Sequence, residues 1–171
     1  MSIEMNIPLK VHSVITDPNT EAQIVILKDP QNMELLPIWV GLTEGNAIRL
    51  AMEGVAPPRP LTHDLLNDLL RSLHVLMDKV LIHDINDSTY FATIYLVQKK
   101  PKTTNDPEQS PPEENNEEIT VDARPSDAIA LALRMGVPIY VTEEVLQKKG
   151  SENLDAWLEK LKPKDFGPYD A

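Results

Sequence analysis

The sequence predicts an α+β domain, a mostly antiparallel sheet with packed helices. Three observations carry that prediction. Strand-like runs flank turn signals at Asp17-Pro18-Asn19-Thr20 and at Asn86-Asp87, so hairpins dominate and no regular strand–helix alternation appears. The pentapeptide Ala47-Ile48-Arg49-Leu50-Ala51 is echoed by Ala128-Ile129-Ala130-Leu131-Ala132, and each is followed by Gly-Val and then Pro. The chain therefore reads as an internal duplication of a hairpin-strand-helix unit. A unit that cannot close its core alone would pack against its copy. Finally, residues 121–141 (VDARPSDAIALALRMGVPIYV) are sharply punctuated. Pro125 suits a first helical turn, Gly136 suits the residue past a helix end, and Pro138 forbids continuation. The intervening helix has no polar face and is expected to be buried nearly all round.

Element by element, residues 7–15 and 21–28 read as strands about the first turn, and residues 35–41 as a third. Thr43 is placed to cap a helix that runs to Glu53 and stops at Gly54. Thr62 is placed to cap a second, over residues 63–73, with Leu65, Leu66, Leu69, Leu70 and Leu73 as its apolar stripe. Residues 75–85 and 90–98 form a hairpin. Residues 119–122 form a short strand that leads into a helix over 125–135, and Pro138-Ile139-Tyr140-Val141 restarts as a buried strand. Residues 143–149 and 152–161 read as amphipathic helices, and the last ten residues as a tail. One domain over residues 1–147 and a C-terminal helix and tail over 148–171 are expected.

Composition narrows the function. The chain has 171 residues, 42% of them hydrophobic, which suits one domain with a sizeable core. No apolar run is long enough to span a membrane, and the start lacks the order of a signal peptide. No cysteine is present, which excludes disulfides and thiolate zinc sites. A cytoplasmic protein is the expectation. The net charge of −11 opposes nucleic-acid binding unless a local basic patch or bound metal ions reverse the field. Residues 99–118 supply six acids and three lysines, with proline the sole apolar type, and read as a flexible acidic loop.

Charged side chains cluster at two helix starts. Asp122, Arg124 and Asp127 surround the entry to the apolar helix. Their structural account is an ion pair of Arg124 with Asp122 and an acid of the first turn favoured by the helix dipole. Their functional account is carboxylate ligation of Mg²⁺ or Mn²⁺, which prefer oxygen donors. Arg59, His63 and Asp64 belong to a run with Pro57, Pro58 and Pro60. The prolines account for a rigid connection. The helix N-terminus and Arg59 account equally for a phosphate contact. Glu44 suits a first turn, whereas Glu53 opposes the dipole at a last turn and calls for a nearby cation, Arg59 or a metal. His12, His74 and His83 read as ordinary surface or satisfied residues, and the isolated Trp39 and Trp157 as packing anchors.

Two stretches are long enough to carry a resemblance. Residues 36–70 (LPIWVGLTEGNAIRLAMEGVAPPRPLTHDLLNDLL) give a strand ending in Gly, a helix, a Pro-Pro-Arg-Pro-Leu-Thr-His-Asp linker and a second helix. Together with residues 121–141 they resemble the two signatures of the bifunctional nuclease family, over roughly residues 7–147. Gly45-Asn46 departs from the bulkier residues usual there, and Gly45 would let a backbone or ligand come close. The resemblance implies cleavage of both RNA and DNA. DNA has no 2′-hydroxyl, so water must attack, and a carboxylate-held metal is the usual activator. The expected set is His63, Asp122 and Asp127 in catalysis, Asp122 and Asp127 as ligands of Mg²⁺ or Mn²⁺, and Arg59 and Arg124 on phosphate, all lining one depression. The other reading is a non-catalytic oligomeric binding module. Surplus apolar helix faces predict a homodimer or a higher homo-oligomer in either case.

Overall fold

The computed structural model describes residues 5–17, 20–31, 33–99 and 116–149. The chain is α+β, and two meanders build most of it. In the first, β1 (Asn6–Thr16), β2 (Gln23–Lys28) and β3 (Leu35–Val40) pair antiparallel and lead into α1 (Leu42–Met52). After α2 (Thr62–Ser72), β4 (Val75–Asn86), β5 (Thr89–Gln98) and β6 (Glu117–Ala123) pair antiparallel and lead into α3 (Pro125–Met135). The element order of the duplication reading is thus present in both halves. The last strand, β7 (Ile139–Thr142), joins the halves, and α4 (Glu143–Lys148) follows it.

The strand order is β3-β2-β1-β7-β4-β5-β6. Strand β7 is antiparallel to β1 and parallel to β4, and β4–β7 is the one parallel pair in the sheet order. Alternation sets the faces. Val80 and Ile82 of β4 and Ala92, Ile94 and Leu96 of β5 turn inward, while Phe91, Thr93 and Tyr95 turn outward. On the outer face the Lys79 ammonium lies 4.7 Å from the centre of the Tyr95 ring. The β4–β5 turn places Asp87 (φ 47°) and Ser88 (φ 64°) in the left-handed region, as a two-residue primed hairpin requires.

Helix α3 is the centre of the molecule. It touches α1, α2, β3, β4 and β5, and its Ala128, Ile129, Ala130 and Ala132 are inaccessible. Its bounds follow the Pro125 and Gly136 punctuation, and Gly136 takes φ 66°. The other helix starts differ from expectation. Helix α1 begins at Leu42 with Gly41 as its cap, not Thr43. In α2 Thr62 lies inside the first turn, and the Asp64 carboxylate accepts the Leu61 N–H at 2.9 Å. The third residue of the helix thus reaches back to the N–H of the residue before it, the reciprocal half of a capping box.

Two further differences concern surfaces. Of the predicted α2 stripe, Leu70 alone packs against the core; Leu65, Leu66, Leu69 and Leu73 are exposed. Glu117 and Glu118 open β6 rather than close a loop. The rest of that expected loop, residues 100–115, lies outside the described residues, as do the expected helix at 152–161 and the tail.

Candidate functional site

The first turns of α1, α2 and α3 converge. Each contributes one ionisable side chain to a continuous network: Glu44, His63 and Asp127. His63 Nε2 lies 2.9 Å from Asp127 Oδ1. Arg124, the residue before α3, donates from Nε to Asp127 Oδ2 at 2.8 Å and from Nη2 to Glu44 Oε1 at 2.9 Å. A carboxylate can only accept, so Nε2 of His63 carries a proton, and in the tautomer with one proton the lone pair lies on Nδ1.

Burial grades the network. His63 is 5% exposed, whereas the Arg124 side chain is 66% exposed. Its hydrogen bonds to Asp127 first, and then to Glu44, raise the guanidinium further above its ordinary pKa, so it is a fixed charge. Those bonds run through Nε and Nη2, two of the three nitrogens of the guanidinium. The glycines explain how closely the elements approach. A Cβ at Gly41 would stand 2.5 Å from Glu44 Oε2. A Cβ at Gly45 would stand 2.5 Å from both Cβ and Cγ of the buried Gln23. The close approach expected at Gly45 is therefore made by strand β2.

A second cluster stiffens the site from behind. Arg134, its side chain 8% exposed, donates to Asp64 Oδ1 at 2.7 Å and to the carbonyls of Ala47 and Ala130 at 3.1 and 2.9 Å. One guanidinium thus ties α1, α2 and α3 together. The Arg134 hydrogen bond is the main reason the Asp64 pKa is lowered, with the Leu61 N–H adding to it. Asp64 stands beside His63, so the clamp also fixes the start of α2.

Three of the five expected site residues meet: His63, Arg124 and Asp127. Asp122 does not join them. It pairs with Thr93 across the β5–β6 ladder, and Thr93 Oγ1 meets His83 Nε2 at 3.0 Å on the outer face of the sheet. Arg124 pairs with Asp127 and Glu44 in place of the Asp122 partner considered from sequence. Arg59 is exposed in the connection between α1 and α2 and takes no part in the network. Glu44 was legible only as a helix-start acid; its site role needs the contact between α1 and the entry to α3.

The donor set does not fit a Mg²⁺ or Mn²⁺ centre. Asp122 and Asp127 sit on different faces, and both oxygens of Asp127 are engaged. No group of three His, Cys, Asp or Glu side chains suited to a metal occurs among the described residues.

Two depressions flank the network. One, about 500 Å³, lies between the three helices and is bordered by Asp64, Asp68 and the clamped Arg134. Its acids suit an anionic ligand poorly. The other, about 280 Å³, is bordered by Trp39, Gly41, Ser88, Tyr90, Arg124 and Ser126. No helix among the described residues is long and apolar enough to cross a membrane.

The site is thus an imidazole, two carboxylates and an exposed guanidinium gathered at three helix starts of an α+β domain. A family model described as the bifunctional nuclease domain matches residues 25–153, and the chain belongs to that family. A Mycobacterium tuberculosis protein described as uncharacterized is 39% identical over 127 residues, 74% of this chain and 66% of its own length. Proteins called bifunctional nuclease from Oryza minuta and Oryza sativa subsp. japonica are 27% identical over 127 residues. The match spans 34% of each rice protein's length.

Proposed function

We propose that this protein hydrolyses phosphodiester bonds in RNA and DNA, with His63 and Asp127 as a proton-transfer pair and Arg124 as the phosphate contact. The observation that supports it best is the 2.9 Å contact of His63 Nε2 with Asp127 Oδ1, closed on its other side by Arg124. The family supplies the reaction class. Asp127 orients the imidazole and stabilises its charged form. The Nδ1 lone pair takes a proton from water as the water oxygen bonds to phosphorus. The bond from phosphorus to the leaving ester oxygen breaks, that oxygen takes a proton from solvent, and His63 returns its own to solvent. Arg124 stabilises the charge that builds on the phosphoryl oxygens. Because the donor set does not fit a metal, no step passes through one.

The test is degradation of RNA and DNA oligonucleotides by protein freed of contaminating nucleases. Asp127→Asn and His63→Gln are expected to lower kcat by about 10²- to 10⁴-fold. Asp122→Asn is expected to leave kcat near the wild-type value. Arg124→Gln, at an exposed position, is expected to fold and to lower kcat/KM. Unchanged rates in Asp127→Asn and Arg124→Gln would reject the assignment. Activity is expected to survive chelation by EDTA; complete loss would show that the substrate or a second copy supplies missing metal ligands.

A second reading, an oligomeric binding module, draws on α2. Leu61, Leu65, Leu69 and Leu73 repeat every fourth residue and are 45–64% exposed. The occupant that suits this stripe is a second copy of the chain. Two α2 helices packed antiparallel would bury the leucines and bring Asp68 of one near Arg71 of the other. A homodimer is compatible with hydrolysis. Light scattering is expected to give a dimer mass that Leu65→Glu with Leu69→Glu reduces to a monomer; a wild-type monomer at millimolar concentration would reject the pairing.

A further inference from the structure

We propose that the 280 Å³ depression beside Arg124 is a base-holding subsite, in which Trp39 and Tyr90 take a nucleobase of a single strand while Arg124 takes the adjacent phosphate. The inference rests on the hydrolase reading for its ligand class and adds the strand form and the specificity residues.

The depression is built from three distant parts of the chain. Trp39 and Gly41 come from the end of β3, Ser88 and Tyr90 from the β4–β5 turn, and Arg124 and Ser126 from the entry to α3. Its lining pairs two aromatic side chains with an arginine and hydroxyls. Aromatic faces accept any base by stacking, and an exposed guanidinium accepts phosphate. Trp39 is 48% exposed, on the outward side of β3, while its neighbours Ile38 and Val40 point into the core. Ser88 is held there with φ 64° by the primed turn, which presents its side chain at the rim.

Size and chemistry choose the ligand. At about 280 Å³ the depression is just under the range of about 300–1,000 Å³ that drug-sized ligands occupy, so it suits a small planar group. A base inside a duplex is stacked on its neighbours and cannot enter, whereas a single strand presents its bases free. Arg124 belongs both to this depression and to the His63–Asp127 network, so a strand whose base is held here has its phosphate at the proton-transfer pair. The same two aromatic residues thus fix register along the strand without reading sequence.

Trp39 reports on its own occupancy. The chain has two tryptophans, so Trp157→Phe leaves Trp39 as the fluorophore. The Trp157→Phe protein is titrated with a phosphorothioate hexathymidylate, its uridylate counterpart and a duplex of the same length, with fluorescence anisotropy of the labelled nucleic acid read in parallel. The inference expects quenching of Trp39 by both single strands and weaker binding of the duplex. It expects about 10-fold or greater loss of affinity in Trp39→Ala and near-normal affinity in Trp39→Phe and Tyr90→Phe. Circular dichroism checks that Trp39→Ala is folded. Binding without a Trp39 response, equal affinity in Trp39→Ala, or no binding of any strand overturns the inference. Cleavage at unchanged KM in Trp39→Ala rejects the subsite and leaves the hydrolase standing. A quenched Trp39 in a protein that cleaves nothing does the reverse.

Discussion

Helices α1 and α3 carry nearly the same pentapeptide after the same strand order, yet their surroundings differ. In α1 the third residue is Arg49, which reaches out to donate to Gln23 Oε1 at 2.7 Å. In α3 the third residue is Ala130, wholly enclosed. Two residues beyond the pentapeptide, α1 has the exposed Glu53 and α3 has the buried Arg134. Two residues before it, α1 has Gly45 against Gln23 and α3 has Ser126. Helix α1 is the flank of the molecule and α3 its axis. The site lies where the axis begins, since a rigid helix start holds Asp127 and Arg124 better than a flank would.

Exchanging residues between the copies breaks the comparison most sharply. Ala130→Arg, which rewrites α3 as α1, places an unpaired charge in a filled core and is expected to prevent folding, read as loss of the cooperative urea transition. The reverse exchange, Arg49→Ala, removes one part-buried hydrogen bond and is expected to cost about 1 kcal/mol. Similar costs for the two would mean that the two helices are equally enclosed.

The next effect concerns the clamp. Arg134→Met keeps volume but leaves Asp64 and two carbonyls without their donor, and should cost roughly 3–5 kcal/mol in chemical denaturation. A cost below about 1 kcal/mol would place Arg134 among weak surface pairs.

Much of this was legible in the sequence, and the exceptions have physical causes. Pro125 and Gly136 set the bounds of α3 because each acts through its own backbone. The hairpins follow from strand alternation, again a local property. Arg134 escaped notice because its partners, Asp64 and Ala47, lie far off in sequence and nothing local marks a last-turn arginine as buried. Trp39 was read as a packing anchor because it stands alone in the sequence; exposure depends on what covers a strand's other face. Asp122 and Asp127 looked like partners by spacing, but a strand and a helix entry turn them to different faces.

Gly45→Ser gives α1 the residue found in α3. It forces Gln23 to move and is expected to cost about 1–3 kcal/mol, measured by thermal unfolding. A neutral result would show that β2 and α1 can separate locally.

The last effect is acid-dependent. The folded Asp64 pKa lies below its ordinary 3.8, so this group stabilises the fold above that value. The stabilisation is lost as pH falls through the lowered folded pKa. Asp64→Asn is expected to be less stable than wild type at neutral pH by about 1.5–3 kcal/mol, the worth of a hydrogen bond to a charged group. The two should converge as the pH falls below about 4. A constant gap across that range would show that the clamp does not depend on the Asp64 charge.

Strand β7 has a consequence for how the polypeptide is born. It alone bridges β1 and β4 in the sheet order, and it is the last of the seven strands to leave the ribosome. Until residues 139–142 emerge, each nascent meander has an open inner edge, β1 in one and β4 in the other. Those edges can recruit a neighbouring chain. Productive closure is therefore a late, long-range event, and slow translation before residue 139 lengthens the interval in which misassembly competes with it.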